Sequence, residues 1–196
     1  MAADEAIEET ARAPNTPPAP APAPAPAFGR WSVIGFVLAA AVVVADQVSK
    51  QVMLGVFAPG PFSEACRRLR DGCGGIEVSG IFDLTMVWNR GVSFGLFQAE
   101  SGFGRWALVV FSAVVAVLLG WLLRKTARPF TALAFGLVIG GAIGNMIDRA
   151  RFGAVVDFFD FSGLWFPYVF NVADAAISVG AALIVLELLL EKREAR

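Results

Sequence analysis

Four apolar runs, each bounded by charge, limit what this chain can fold into. The first is "WSVIGFVLAAAVVVA" at 31–45, which continues into Asp46. The second lies between Arg105 and Arg124, and the third between Arg128 and Asp148. The fourth opens near Tyr168 and closes near Glu191. Each can supply roughly 17–25 residues of helix, the length that crosses a bilayer. Composition agrees, with 57% apolar and 17% charged residues and a mean hydropathy of +0.65, well outside the soluble norm. The expected fold class is an all-α membrane protein with four transmembrane helices and a small extramembrane β element.

Basic residues set the expected orientation. "RKTAR" (124–128) joins the second and third runs without an acid, "EKREAR" ends the chain, and Arg30 precedes the first run. The positive-inside rule places all three in the cytoplasm, and with them both termini. Two loops then face outward, about 56–103 and 150–167. In the first loop, "FDLTMVW" puts Phe82, Leu84, Met86 and Trp88 on one face at period two, which predicts a small outward-facing β element. In the second, "WFPY" (165–168) suits a membrane–water boundary. Residues 1–29 carry "PPAPAPAPAPA", which favours extended polyproline II and cannot build a core. They are read as a disordered tail, and 30–196 as a single membrane-embedded domain. The acidic opening "DEAIEE", with no apolar stretch directly after it, does not read as a cleavable signal peptide.

Several chemistries are excluded. The chain has no histidine, so a Ser-His-Asp triad, a Cys-His pair and an H-E-x-x-H metal site cannot form. A net charge of −1 leaves no electrostatic footprint for nucleic acid. Cys66 and Cys73 share one polar outer loop and cannot complete a structural zinc site; whether they form a disulfide is open at this point. No cofactor or metal is called for, and the chain is expected to act as a monomer in contact with membrane lipid. In the third run, Ala132, Gly136, Gly140 and Gly144 stand four apart, the spacing of close helix packing.

The polar residues collect at helix ends. Asp46 and Lys50 in "DQVSK" stand in the better order for a helical ion pair. Asn145, Asp148 and Arg149 share the outer end of the third run, and Asn171 and Asp174 that of the fourth. Asp157 and Asp160 arrive from the 150–167 loop. Ion pairing explains the first two groups well enough. Asp174 has no basic residue within a turn, and an unpaired carboxylate in a span is costly. Two carboxyls in a low-dielectric pocket share a proton, so one is an acid and its neighbour a base that can activate water. By physics alone either Asp157 or Asp160 could be the partner. A proton-linked transporter also uses such acids, but it should show inverted repeats and midplane sites. No repeat is visible, and these acids sit at one face.

"DQVSK", "VWNRGVSFGLF", "GGAIGNMIDR", "GAVVDFF" and "FNVADAAISVG" occur in the order and at the helix ends found in bacterial lipoprotein signal peptidases, or signal peptidase II. The chain resembles that family over about residues 31–190. The resemblance implies an aspartic endopeptidase that removes the signal peptide from diacylglyceryl-modified prolipoproteins, cutting just before the lipidated cysteine. It implies Asp157 and Asp174 as the catalytic pair. It places substrate-contacting or site-shaping roles on Asp46, Lys50, Asn89, Gly91, Asn145, Asp148, Arg149, Asn171 and Ala175. The proline-rich tail and the long stretch 60–75 depart from the family pattern, and neither touches a motif.

Overall fold

The computed structural model describes residues 28–57, 74–91 and 102–194. Most of the tail, most of the 60–75 stretch, and Cys66 and Cys73 with their possible bridge lie outside the described residues. In chain order the elements are α1 (Arg30–Phe57), β1 (Gly75–Ser79), β2 (Phe82–Asn89), α2 (Gly102–Leu123), α3 (Pro129–Phe152), β3 (Val155–Asp160), a 3-10 turn (Ser162–Leu164), β4 (Val169–Phe170) and α4 (Val172–Glu194).

All four long helices have the length and apolar composition to cross a membrane. In hydrocarbon the backbone has no water to bond to, so a helix that closes its own hydrogen bonds is the form such runs must take. α1 has 28 residues, about 42 Å at 1.5 Å per residue, longer than a hydrocarbon core of about 30 Å. At least one end of α1 therefore stands outside the hydrocarbon.

α3 is the hub, with α1, α4 and α2 all packed against it. The small-residue stripe explains how. A Cβ on Gly136 would lie 2.5 Å from the Gly35 carbonyl oxygen, and one on Gly140 would lie 2.7 Å from that of Ala39. Gly141, on the neighbouring face, meets the Ala173 carbonyl of α4 just as closely. The stripe therefore packs a helix, as its spacing suggests, and brings two helices close to one. α2 is the outermost helix, with Leu123 its one fully buried residue. Its exposed Val110, Phe111, Val114 and Val117 are the surface a lipid-facing helix presents.

One end of the bundle gathers the start of α1, the α2–α3 turn and the end of α4. Ser32 Oγ donates to the carbonyls of Arg124 and Thr126, both at 3.3 Å. Thr131 Oγ1 donates to Glu187 at 2.7 Å, and Arg128 pairs with Glu191.

The opposite end carries an antiparallel sheet in the order β1-β2-β3-β4. The period-two reading of "FDLTMVW" correctly locates a strand, but its alternation is broken. A bulge between Leu84 and Val87 shifts the register. Met86 and Trp88 enter the core with Val156 and Phe158, while the Phe82 ring lies 6.1 Å from Phe159 and 4.9 Å from Phe161. The second outer segment is not a plain loop, since it holds β3, and β4 follows just beyond it. Val169 and Phe170 pair with Asp160 and Phe159, so α4 begins at Val172 rather than near Tyr168.

The close approach of α1 and α3 has a direct test. Gly136→Leu forces a side chain against the α1 backbone, and overpacking costs about 1–3 kcal/mol or more. For a chain of this size that lowers Tm by about 2–12 °C, read by thermal unfolding in detergent. An unchanged Tm would contradict the packing.

Candidate active site

The start of α4 is written in its sequence. Asn171 is the N-cap residue, its Oδ1 accepting from the Asp174 N–H at 2.9 Å. Asp174 Oδ2 in turn accepts from the Asn171 N–H at 3.4 Å. This is the reciprocal capping arrangement, with Asn and Asp in place of Ser and Glu. It fixes the Asp174 carboxylate at a helix N-terminus, where the macrodipole favours negative charge.

Asp157 comes from the middle of β3, opposite Val87. α3 ends at Gly153, whose φ of +80° is left-handed, a conformation glycine adopts without penalty. The chain turns there and enters β3 two residues later. Asp157 is 1% exposed. Its Oδ1 accepts from Asn171 Nδ2 at 2.6 Å and its Oδ2 from Asn89 Nδ2 at 3.0 Å.

Asn145 of α3 joins the two acids. Its Nδ2 donates to Asp174 Oδ1 at 2.8 Å, and its Oδ1 accepts from Asn171 Nδ2 at 3.2 Å and from Lys50 Nζ at 3.0 Å. The bridge from one carboxyl to the other thus runs through two amides.

Beneath it lies a buried ionic cluster. Lys50, 2% exposed, pairs with Asp46 Oδ2 at 2.8 Å and Asp148 Oδ2 at 2.9 Å. With Asn145, these match the three donors of its ammonium. Asp46 also accepts from the Ala173 N–H at 3.0 Å, and Asp148 from the Val156 N–H at 3.1 Å. Gly144 leaves the room this requires, since a Cβ there would lie 2.5 Å from Asp46 Oδ2. Asp148 and Arg149 do not pair with each other in these bonds. Arg149 Nη2 instead donates to the Gly91 carbonyl at 2.8 Å, and the Gly91 N–H donates to Asn89 Oδ1 at 3.0 Å.

Burial pushes the Asp157 carboxyl well above the usual carboxylate range, and the nearby Asp174 charge pushes it further. Hydrogen bonds from Asn89 and Asn171 and the charge of Lys50 act against this without cancelling it. Asp160 behaves oppositely. Slight burial works to raise it, but hydrogen bonds from the backbone and hydroxyl of Ser162 and from Thr85 outweigh that and hold it low. Its Oδ1 accepts from the Ser162 N–H at 2.9 Å, the bond of a turn-capping residue.

Asp174, Asn89 and Ala175 also line a cavity of about 370 Å³, with Phe166, Phe170 and Ser178 among its walls. The structure thus gathers Asp46, Lys50, Asn89, Gly91, Asn145, Asp148, Arg149, Asp157, Asn171, Asp174 and Ala175 at one end of the bundle. Sequence reasoning missed Gln47, whose Nε2 lies 3.0 Å from Asp148 Oδ1 and 3.2 Å from the Gly144 carbonyl. The only signal was its place inside "DQVSK". It also missed Arg105, which it read as a boundary charge.

A four-helix bundle with a buried acid cluster and an apolar cavity beside a small sheet defines a membrane enzyme. One solved structure, described as a bacterial membrane enzyme at 2.3 Å resolution, superposes with a TM-score of 0.68 and 25% identity, covering 84% of this chain and 92% of that one. The chain belongs to the signal peptidase II family, whose profile, described as "Signal peptidase (SPase) II", matches residues 38–190. It is therefore a membrane peptidase. It is 45% identical to the lipoprotein signal peptidase of Caulobacter vibrioides over 155 residues, covering 79% of this chain and 85% of that one. It is also 45% identical to that of Rhizorhabdus wittichii over 160 residues, covering 80% and 86%.

Removing one member of the ionic cluster leaves buried charge uncompensated, at a cost of about 3–5 kcal/mol. Lys50→Met is therefore expected to lower Tm by about 6–20 °C, read by intrinsic tryptophan fluorescence on heating. A variant as stable as wild type would show that the cluster contributes nothing to the fold.

Proposed function

We propose that this chain removes the signal peptide from diacylglyceryl-modified prolipoproteins, cutting just before the lipidated cysteine with water activated between Asp157 and Asp174. The observation that carries the reading is the amide-bridged pair. Two carboxyls from separate elements are linked through Asn171 and Asn145, and the buried one is pushed toward its neutral form by burial and by its neighbour's charge.

The chemistry follows from one shared proton. Asp157 is the member that keeps it, and Asp174 is the base. Asp174 takes a proton from water as the water oxygen bonds to the scissile carbonyl carbon, and Asp157 gives its proton to the carbonyl oxygen. The tetrahedral diol then collapses. Its C–N bond breaks, the departing amine takes the proton from Asp174, and a diol hydroxyl returns one to Asp157. One chain supplies both acids, so a monomer suffices.

Two features support a lipid-bearing substrate and the proposed placement. The cavity beside Asp174 is walled largely by apolar and aromatic side chains, so it accepts a segment that stays associated with the bilayer. The basic turn with Arg124, Lys125 and Arg128 lies at the far end of the bundle. By the positive-inside rule this puts both termini in the cytoplasm and the acids at the periplasmic face of the inner membrane. Residues 30–196 form the single catalytic domain in this reading, and 1–29 a tail.

Asp157→Asn and Asp174→Asn are each expected to lower turnover by about 10³-fold or more, because Asn cannot cycle a proton. Asp160→Asn, which changes only a turn cap, should stay within about threefold. A gel-shift assay of a diacylglyceryl-modified prolipoprotein with the purified chain in detergent reads all three. An active Asp157→Asn with an inactive Asp160→Asn would overturn the assignment.

A further inference from the structure

We propose that Arg105, at the foot of α2, is a positioning residue for hydrolysis that acts through Arg149. Its guanidinium reaches across to the last turn of α3. Nε donates to the Arg149 carbonyl at 2.8 Å, and Nη2 to the Ala150 carbonyl at 2.7 Å. Carbonyls at a helix C-terminus lack intrahelical donors, and a cation there also complements the macrodipole. The same Arg149 carbonyl accepts from the Gly153 N–H at 3.0 Å. Gly153 also provides the seat, because a Cβ on it would lie 3.4 Å from Arg105 Nη1 and 3.7 Å from Cδ.

Holding this backbone sets the root of the Arg149 side chain, and from there a chain of bonds reaches an aspartate. Arg149 Nη2 bonds the Gly91 carbonyl at 2.8 Å, the Gly91 N–H bonds Asn89 Oδ1 at 3.0 Å, and Asn89 Nδ2 bonds Asp157 Oδ2 at 3.0 Å. The sheet holds the Asn89 backbone opposite Val155, while its side-chain oxygen is tied to the Gly91 backbone that Arg149 grips, which helps aim its amide. Arg105 bonds backbone at the far end of this chain, which makes it a positioning rather than a catalytic residue. Arginine suits the task because its planar fork spans two adjacent carbonyls, which an ammonium cannot do with fixed geometry.

The competing role is a staple that merely fastens α2 to α3. A staple would lower stability, and its effect would be independent of Arg149. The inference rests on Asp157 belonging to the catalytic pair, so Asp157→Asn is assayed alongside.

The test is a double-mutant cycle on the full chain in detergent, with kcat and KM measured on a fluorogenic diacylglyceryl-modified prolipoprotein peptide. Arg105→Ala is expected to lower kcat by about 10-fold or more, since small displacements at a reacting centre cost up to about 100-fold, with KM within twofold of wild type. Arg105→Lys should recover part of the loss. In an Arg149→Lys background, adding Arg105→Ala should change kcat by less than about twofold, because two residues acting in series are not additive. If Arg105→Ala does not fold, the cycle is run with Arg105→Lys. Losses that multiply in the double variant, a loss confined to KM, or normal turnover of Arg105→Ala would each overturn the positioning role. An active Asp157→Asn would overturn the catalytic pair. An inactive one together with multiplying losses would overturn only the role of Arg105.

Discussion

The ammonium of Lys50, held between Asp46 and Asp148, is the contact on which the rest of the site depends. Its partners extend to four elements. Asp46 stands on α1 and binds the first turn of α4 through the Ala173 N–H. Asp148 stands on α3 and binds β3 through the Val156 N–H. Desolvating such charges costs several kcal/mol per ion, and geometry must return that cost. Here each carboxylate finds a backbone N–H as well as the ammonium.

The cluster also imposes direction. An ammonium can only donate, so Asn145 must turn its carbonyl oxygen toward Lys50 and its NH₂ toward Asp174. Asn171 uses its oxygen as the helix cap, so its NH₂ faces Asp157. The two amides are thereby oriented without ambiguity, and both carboxyls are held by donors. The small stripe on α3 makes this arrangement possible, because Gly144 can approach Asp46 only without a side chain.

Much of this was legible from residue types. The four spans followed from length and hydropathy, the meeting of Asn171 and Asp174 at one helix end from "NVAD", and the strand from "FDLTMVW", whereas the reciprocal cap between Asn171 and Asp174 emerged only from the structure. β3 was not legible because "VVDFFD" is a short run without alternation, which periodicity cannot tell from a loop or a buried helix segment. β4 has only two residues, and its pairing with β3 delays α4, a tertiary effect with no local signal. The Leu84–Val87 bulge breaks a period that looks continuous on paper. Asp157 and Asp160 differ only once the fold buries one and leaves the other capping a turn, and Arg105 acquires its partners only when α2 stands beside the end of α3.

The central claim is that Asp157 and Asp174 form one proton-sharing pair. It is tested most directly by titrating Asp157 through its ¹³C-labelled carboxyl resonance in the folded protein, with and without Asp174→Asn. The account predicts that Asp157 protonates well above the usual carboxylate range, because burial and the Asp174 charge both favour its neutral form. It also predicts that removing that charge moves the midpoint down while burial keeps it above an ordinary aspartate. An Asp157 that titrates in the usual range, or whose midpoint ignores Asp174→Asn, would contradict the account.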